Sequence, residues 1–247
     1  MLLNITKSLI IACVLLAVAS PALGTDDLSL IEAVRNRDSR AAAVLVAEKV
    51  DVNATQPDGA TALHWAAQWD DVSMAELLIR AGARADVAND YGATPLSMAT
   101  LNGSEPMVER LLEAGAPPNT TLPSGETALM TAARSGSVEV VKVLVAAGAN
   151  VNATEFALGQ TALMWAVAER HMDVAQTLVE SGANPGARSA SGFTPLLFAA
   201  RMGDRDLVRF FLEKGADINE TAEDGTTPLA VATVRGHAAL AEWLLDR

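Results

Sequence analysis

Thiols are almost absent from this sequence. Cys13 is the only cysteine among 247 residues, and it lies in an apolar stretch close to the N-terminus. If that stretch is removed on export, the mature chain can form no disulfide, no thiolate metal site and no cysteine nucleophile. Aromatic residues are scarce as well, at 4% of the chain. The core must therefore be built mainly from small aliphatic side chains.

Positive charge and further long apolar runs are also in short supply. The chain has 18 Lys and Arg against 30 Asp and Glu, which gives a net charge of −12. Such a chain repels phosphate backbones, so no nucleic-acid partner is expected. No long apolar run follows residue 24, so no membrane insertion is expected once the N-terminal stretch is cleaved.

The residues of common catalytic and metal sites are missing too. The three histidines, His64, His171 and His237, have no partner histidine at metal-ligand spacing. Neither an HExxH zinc motif, nor a GxSxG nucleophile motif, nor a phosphate-binding glycine loop occurs. The sequence predicts no catalytic residue, no metal and no cofactor. His64 is interpreted as a structural histidine.

Residues 1–24 have the features of a secretory signal peptide. One lysine precedes the apolar run SLIIACVLLAVA, and the small residues of SPALG follow. Cleavage is predicted after Ala22 or after Gly24. Two alternatives remain open, an uncleaved N-terminal anchor and a lipoprotein attached through Cys13. The predicted location is periplasmic or secreted, with a bacterial periplasm as the simplest compartment.

What the chain does contain is one phrase written six times. GATALHWAA at residue 59 is followed by GATPLSMAT, GETALMTAA, GQTALMWAV, GFTPLLFAA and GTTPLAVAT, with spacings of 33, 33, 34, 33 and 33. A fixed period of this length indicates stacked repeats. The glycine suits a tight turn, the threonine an N-cap, and the following proline or alanine the first position of a helix.

A second helical pattern follows each phrase. MAELLIRAG and its four counterparts share apolar positions on one helix face and end in a glycine suited to a left-handed C-cap. The segment after that glycine, such as ANVNAT, is predicted to be extended and to lead into the next phrase. We call the extended segment a finger. Asn53, Asn152 and Asn219 recur in these fingers, where backbone hydrogen bonding explains them better than glycosylation.

These motifs resemble the ankyrin repeat, with its G-x-T-P-L-H-x-A-A phrase, a second helix ending L-L-x-x-G-A and a D-V-N-like finger. The resemblance covers about residues 26–247 and implies an all-α solenoid of about seven helix–turn–helix units with β-turn fingers. The predicted units are a capping unit at 25–58, repeats at 59–91, 92–124, 125–158, 159–191 and 192–224, and a C-terminal capping repeat at 225–247. The family's histidine survives only as His64, so apolar packing is expected to replace that link elsewhere.

The resemblance also implies a function. Ankyrin repeats bind proteins through their finger tips and the inner curve of their first helices, so we expect a non-catalytic, monomeric protein that binds another protein. Rings and arginines on that side are the candidate contacts, because such residues dominate interface energies. The candidates are Trp65, Trp69, Tyr91, Arg134, Phe156, Leu158, Trp165, Arg170, Phe193, Phe198, Arg201 and Arg235.

Two of these expectations concern geometry. The four arginines of the candidate set are expected to stand side by side as a ladder, with Trp165 and Phe198 one helical turn away. Core packing is the alternative for these two aromatic residues, and the helix dipole is the alternative reason for the arginines. The roles left open are a scaffold, an inhibitor or a partner subunit. Alternatives are a secreted effector that binds a host protein, and a small-molecule binder or enzyme that uses the Trp/Arg groove.

Overall fold

The computed structural model describes residues 28–247, so the predicted signal peptide lies outside the described residues. These residues form fourteen helices in seven pairs, with two isolated β-bridges and no longer strand. The first helix of each pair is α1 (Ser29–Arg35), α3 (Ala62–Gln68), α5 (Pro95–Asn102), α7 (Ala128–Ser135), α9 (Ala162–Ala168), α11 (Pro195–Met202) and α13 (Pro228–Val234). The second is α2 (Ser39–Ala47), α4 (Val72–Arg80), α6 (Glu105–Glu113), α8 (Val138–Ala146), α10 (Met172–Glu180), α12 (Arg205–Glu213) and α14 (Ala238–Leu245). The predicted all-α solenoid is confirmed.

The threonines of the repeated phrase begin the first helices, as predicted. Thr94, Thr127, Thr161, Thr194 and Thr227 each accept a hydrogen bond from the backbone N–H three residues later. An N-cap of this kind is worth about 1 kcal/mol, because it satisfies a donor that the helix cannot pair. The repeated threonine therefore sets the start of each helix independently of its neighbours.

The hydrophobic core runs along the whole stack. Each first helix packs on the first helix of the next unit, and these contacts are more extensive than those between successive second helices. The wholly buried Met130, Met164 and Leu197 occupy the position of the family's histidine in three units, so apolar packing does replace it there. Because the first helices lie closer together than the second, the stack curves with its first helices on the concave side.

Asparagines link the fingers of neighbouring units. The six fingers are residues 51–59, 84–92, 117–125, 150–159, 184–192 and 217–225, numbered 1 to 6 in chain order. Asn53 donates to the Gly82 carbonyl at 3.0 Å and accepts from the Arg84 N–H at 2.8 Å. Asn119 and Asn152 each bond in the same way to a carbonyl group and an N–H group of the segment that follows the next second helix. The expected backbone bonding is therefore present at Asn53 and Asn152, where it joins one unit to the next, and Asn119 makes the same link. At Asn219 the bond given is from its own backbone N–H to the Asp217 carboxylate.

Two histidines without an expected role also join units. His171 and His237 precede α10 and α14, and each Nε2 lies 3.0 Å from a backbone oxygen of the preceding unit, that of Arg134 or Arg201. Those oxygens belong to the last turns of α7 and α11, where carbonyl groups lack N–H donors from their own helix. Each imidazole therefore caps the C-terminal end of a neighbouring first helix.

His64 links its unit to the next one through both ring nitrogens. Its Nδ1 accepts from the Thr61 backbone N–H at 3.1 Å, and its Nε2 lies 3.1 Å from the Ala93 carbonyl oxygen. These partners require the neutral ring with its proton on Nε2. Burial lowers the pKa of His64, and this effect outweighs the hydrogen bond to Ala93 and the charge of Asp58.

We expect the protein to lose stability as the pH falls below about 6.5, the pKa of an unperturbed histidine. The unfolded chain binds a proton at His64 more readily than the folded chain, so protonation favours unfolding until the pH drops below the lowered pKa. Denaturant unfolding between pH 7 and pH 5 measures this change. His64→Ser is the control, because Ser97 occupies the same position in the next unit and accepts from the Thr94 N–H. An equally steep pH dependence in the serine variant would contradict the assignment.

None of the helices within residues 28–247 is long and apolar enough to cross a membrane.

Candidate functional site

The concave face is a groove lined by the first helices and bordered by the fingers. At its N-terminal end lie Trp65 and Trp69, whose ring centroids are 6.1 Å apart. The Trp65 indole N–H donates to Oε1 of Gln56 at 3.0 Å, and the Arg37 guanidinium lies 4.8 Å from the Trp69 ring centroid. Trp69 is 39% exposed and Trp65 half-buried. The structure thus brings two predicted contact residues together.

A second aromatic position lies between α7 and α9. Arg134 stacks on Trp165, with 4.8 Å between the guanidinium carbon and the ring centroid, and the same arginine pairs with Glu126 at 3.2 Å. A cleft of about 180 Å³ beside them is also lined by Gln160, Ala168 and Glu169. We call it the central cleft. Its arginine charge is already balanced by a carboxylate of the same unit.

The indole N–H of Trp165 has no hydrogen-bond partner although it is buried. Trp65, at the equivalent position three repeats earlier in the stack, donates to Gln56 of finger 1. In finger 4 the equivalent residue is Glu155. Its carboxylate accepts from the backbone N–H groups of Ala157 and Gln160 instead of from the indole. A buried donor without a partner costs roughly 1–3 kcal/mol, so an acceptor brought by a ligand would be stabilising here.

A mainly apolar opening of the groove lies between α11 and α13. Its volume is about 320 Å³, and its walls are Phe193, Arg201, Thr226, Ala230, Val231, Val234 and Arg235. We call it the C-terminal cleft. Val234 is 85% exposed, which is unusual for a valine. Neither arginine forms an ion pair with any carboxylate in residues 28–247. Two unpaired guanidinium groups therefore flank an exposed apolar wall.

The expected ladder of four equivalent arginines is wrong. Arg134 and Arg201 occupy one position of the repeat, nine residues after the turn glycine, while Arg235 stands ten and Arg170 eleven residues after it. Arg170 has left the helix and adopts a left-handed backbone with φ of 61°. Its guanidinium donates to the Met202 carbonyl of the next unit. Arg170 is thus a link between units, and the other three arginines of the expected ladder lie at two separate places in the groove.

Phe198 is packed in the core, whereas Phe193 is partly open to the C-terminal cleft. Phe198 is only 6% exposed, and its ring meets that of Phe193 edge-on at 5.7 Å. Of the two interpretations that the sequence allowed for Phe198, the structure favours core packing, since little of the side chain is left for a partner. Phe193 is the ring that this pair offers to the groove.

Three predicted residues project from the finger tips. Tyr91, Phe156 and Leu158 are 71%, 75% and 56% exposed. The extra residue of finger 4 lets its backbone close around the carboxylate of Glu155. Burial would raise the pKa of Glu155, but hydrogen bonds from the backbone of Gln160, Ala157 and Leu158 outweigh it and lower that pKa. The insertion thus has a local structural basis, and it leaves two large apolar side chains exposed.

Within residues 28–247, no group of three or more His, Cys, Asp and Glu side chains is arranged to hold a metal ion. The sequence signals of the groove were its rings and arginines. They gave no sign of the acceptor missing at Trp165 or of the links made by His171 and His237. Those features depend on which side chain of a neighbouring unit faces each group.

Comparison with known proteins agrees with this architecture. A family model described as ankyrin repeats (3 copies) matches residues 30–122, 103–189 and 181–247. The human ASB11 ankyrin repeat domain is similar in structure, with a TM-score of 0.75 and 27% sequence identity. That match covers 86% of this chain and 96% of the ASB11 domain. A search of curated protein sequences gave no match. The family model spans nearly the whole described chain, and the protein belongs to the ankyrin-repeat family.

Proposed function

We propose that this protein binds another protein along its concave groove, as a non-catalytic scaffold, inhibitor or partner subunit. Ankyrin repeats are in general protein-binding modules. The observation that carries the proposal for this chain is the C-terminal cleft, where unpaired Arg201 and Arg235 stand beside the exposed Val234. In a chain of net charge −12, such a local concentration of unpaired positive charge favours an anionic partner group.

The chemistry of the groove indicates what the partner presents. Carboxylates suit the two arginines of the C-terminal cleft, because a guanidinium binds a carboxylate through two parallel hydrogen bonds. An apolar side chain suits the wall formed by Phe193 and Val234. In the central cleft, the buried indole N–H of Trp165 lacks an acceptor, which a carbonyl or carboxylate oxygen of the partner would supply. The best candidate is a segment that alternates acidic and apolar residues.

A photo-crosslinking residue placed in the groove tests this proposal. We expect the residue at position 234 to capture one partner protein from the native compartment. The same residue at position 142, on the outer helix α8, is expected to capture none, although Lys142 is also exposed. The captured protein should then bind the purified chain with an acidic and apolar segment protected in the complex. Equal capture from both positions would contradict binding through the groove.

Replacing groove residues should weaken partner binding in two different ways. Trp165→Ala should cost at least about 1–2 kcal/mol of binding free energy, mainly through faster dissociation. Arg201→Glu with Arg235→Glu should chiefly slow association, and added salt should mask the effect. Surface plasmon resonance at two salt concentrations separates the two rates.

Each variant has a matched control. One keeps an aromatic ring at position 165, and the other makes the same charge change outside the groove. Trp165→Phe keeps a six-membered aromatic ring beside Arg134 and removes the indole N–H. Arg209→Glu makes the same charge change on the outer helix α12, where Arg209 pairs with Asp206 at 2.7 Å. If the folded double arginine variant associates at the wild-type rate in low salt, the C-terminal cleft does not contact the partner.

The proposed compartment is the periplasm or the extracellular medium, and the proposed mature protein is a monomer. The proposed compartment rests on the signal-like residues 1–24 alone. We expect the intact mass of protein from its native compartment to lack the residues up to Ala22 or Gly24, with no reactive thiol left. A mass that retains residues 1–22 would contradict export with cleavage.

Two other functions are separated by simple measurements. A secreted effector that binds a host protein differs only in destination, and comparing cells with medium distinguishes it. The C-terminal cleft, at about 320 Å³, also lies near the lower end of volumes that hold small molecules, so a small-molecule function is the second candidate. A thermal-shift screen against metabolites tests it. A large stabilisation by one metabolite, lost in Arg201→Ala, would favour this second candidate.

A further inference from the structure

Neighbouring fingers are joined by a repeated set of hydrogen bonds. The set has two parts. In the first, an asparagine side chain donates to a backbone carbonyl at the end of the next second helix, as at Asn53, Asn119 and Asn152. In the second, a backbone N–H near the tip of one finger donates to the carbonyl that precedes the turn glycine of the finger before it. This bond joins Asp90 to Asp58, Phe156 to Ser124, Ala190 to Leu158 and Glu223 to Ser191.

The junction between finger 2 and finger 3 has none of these bonds. Asp86 stands where Asn53 and Asn119 stand in other fingers, and a carboxylate cannot donate to the Gly115 carbonyl. Pro117 replaces the residue whose N–H would bond to that side chain, and Pro123 replaces the residue whose N–H would reach the Tyr91 carbonyl. Because proline has no N–H, all three donors are missing at once.

No other side-chain bond replaces them. Asp86 pairs with Arg84 of its own finger at 3.0 Å. The ring of Pro123 packs beside Gly92 of finger 2. The junction between fingers 5 and 6 makes a useful contrast. Gly186 stands at the asparagine position there, but Arg188 donates to the Thr221 carbonyl at 2.8 Å and restores a link. Within residues 28–247, the junction of fingers 2 and 3 is the one without a hydrogen bond between fingers.

The helices at the same junction are firmly tied. His64 bonds to the Ala93 carbonyl, and the Asn102 amide donates to the Ala67 carbonyl at 3.0 Å. On the outer helices, Arg110 of α6 pairs with Glu76 of α4 at 3.0 Å. The two units are therefore joined by polar contacts between their helices but by no hydrogen bond between their fingers.

We propose that fingers 2 and 3 form a hinge, at which the stack bends about its helices and opens its finger edge. Asp86, Pro117 and Pro123 create the hinge by removing the bonds that join fingers elsewhere. It lies between the Trp65/Trp69 end of the groove and the central cleft. Bending there changes the curvature of the groove without disturbing the core, because van der Waals contact between fingers resists separation less than directional hydrogen bonds do.

Distance distributions between spin labels on the finger tips test the hinge. One labelled pair is Tyr91→Cys with Leu158→Cys, which spans the proposed hinge and one bonded junction. The control pair is Ser124→Cys with Ser191→Cys, which spans two bonded junctions. All four positions are exposed and occupy the same place before the turn glycine. Cys13→Ser in the full chain removes the only native thiol. We expect a broader distribution for the pair across the hinge.

A repaired chain makes the test specific. Asp86→Asn, Pro117→Asn and Pro123→Ala give this junction the residue types found at other fingers, such as Asn119, Asn150 and Ala190. The repaired chain should narrow the first distribution to the width of the control pair and leave the control pair unchanged. A distribution across the hinge that is as narrow as the control, or one that stays broad after repair, would overturn the proposal. Neither readout requires a partner, so the proposed function is tested separately.

Discussion

Replacing Leu163 by alanine is expected to lower the free energy of unfolding by about 2–5 kcal/mol, the usual range for a wholly buried leucine. Leu163 is 0% exposed in α9, which packs between α7 and α11. In a linear stack each unit is stabilised only by its neighbours, so a cavity at this place weakens two interfaces at once. Denaturant unfolding followed by circular dichroism measures the loss, and a broadened transition would show that the two halves separate.

The ends of the stack provide the comparison. Leu240 is almost as well buried in α14, at 3% exposed, but within residues 28–247 its unit packs on one neighbouring unit only. Leu240→Ala should therefore fray the last unit and leave the main transition in place. Leu245 is 68% exposed, so Leu245→Ala is a surface control expected to change stability by less than about 0.5 kcal/mol. A smaller loss for Leu163→Ala than for Leu240→Ala would contradict the stacked model.

The fold could be predicted from the sequence because each unit contains the local residues that specify its turn and its helices. The turn glycine, the threonine cap and the apolar helix positions act within a few residues of one another, and six copies repeat the same pattern. The caps at Thr94 to Thr227 form as predicted, and the finger glycines have positive φ. Local chemistry of this kind needs no knowledge of the neighbouring unit.

The site was predicted less well because it depends on contacts between units. Phe198 and Trp165 occupy the same repeat position, yet Phe198 is buried against Phe193 while Trp165 lies in a cleft under Arg134. The arginines look alike in the sequence, but a shift of two residues puts Arg170 in the turn, where its guanidinium reaches the next unit. A register difference this small is visible in the spacing. Its consequence appears only once the units are stacked.

Contacts between units explain which of the glycines between the two helices of a unit can be replaced. Gly203 and Gly236 occupy the same repeat position, with φ of 67° and 78°. A Cβ built on Gly203 would lie 2.5 Å from Cγ of His237, whereas one on Gly236 would meet no other atom of residues 28–247 within 4 Å. The left-handed backbone alone is tolerated here, because Asp70 and Arg170 adopt it at this position in other units.

Gly203→Ala is therefore expected to destabilise the protein by about 2–3 kcal/mol, and Gly236→Ala by only about 1 kcal/mol. Both variants carry the cost of a left-handed alanine. Only Gly203→Ala also displaces the His237 ring and breaks its hydrogen bond to the Arg201 carbonyl. Thermal and denaturant unfolding of the two variants measures the difference.

The same substitution in a His237→Ala background isolates the cause. With the imidazole gone, the new methyl group has no ring to displace, so Gly203→Ala should cost no more than Gly236→Ala does in the wild-type chain. The difference between the two backgrounds is then the coupling energy between the new methyl group and the His237 ring, which includes the loss of the ring's hydrogen bond to Arg201. If Gly203→Ala lowers the free energy of unfolding equally with and without His237, the methyl group displaces the ring at no cost. The hydrogen bond from that ring to Arg201 then contributes little to the stability of the stack.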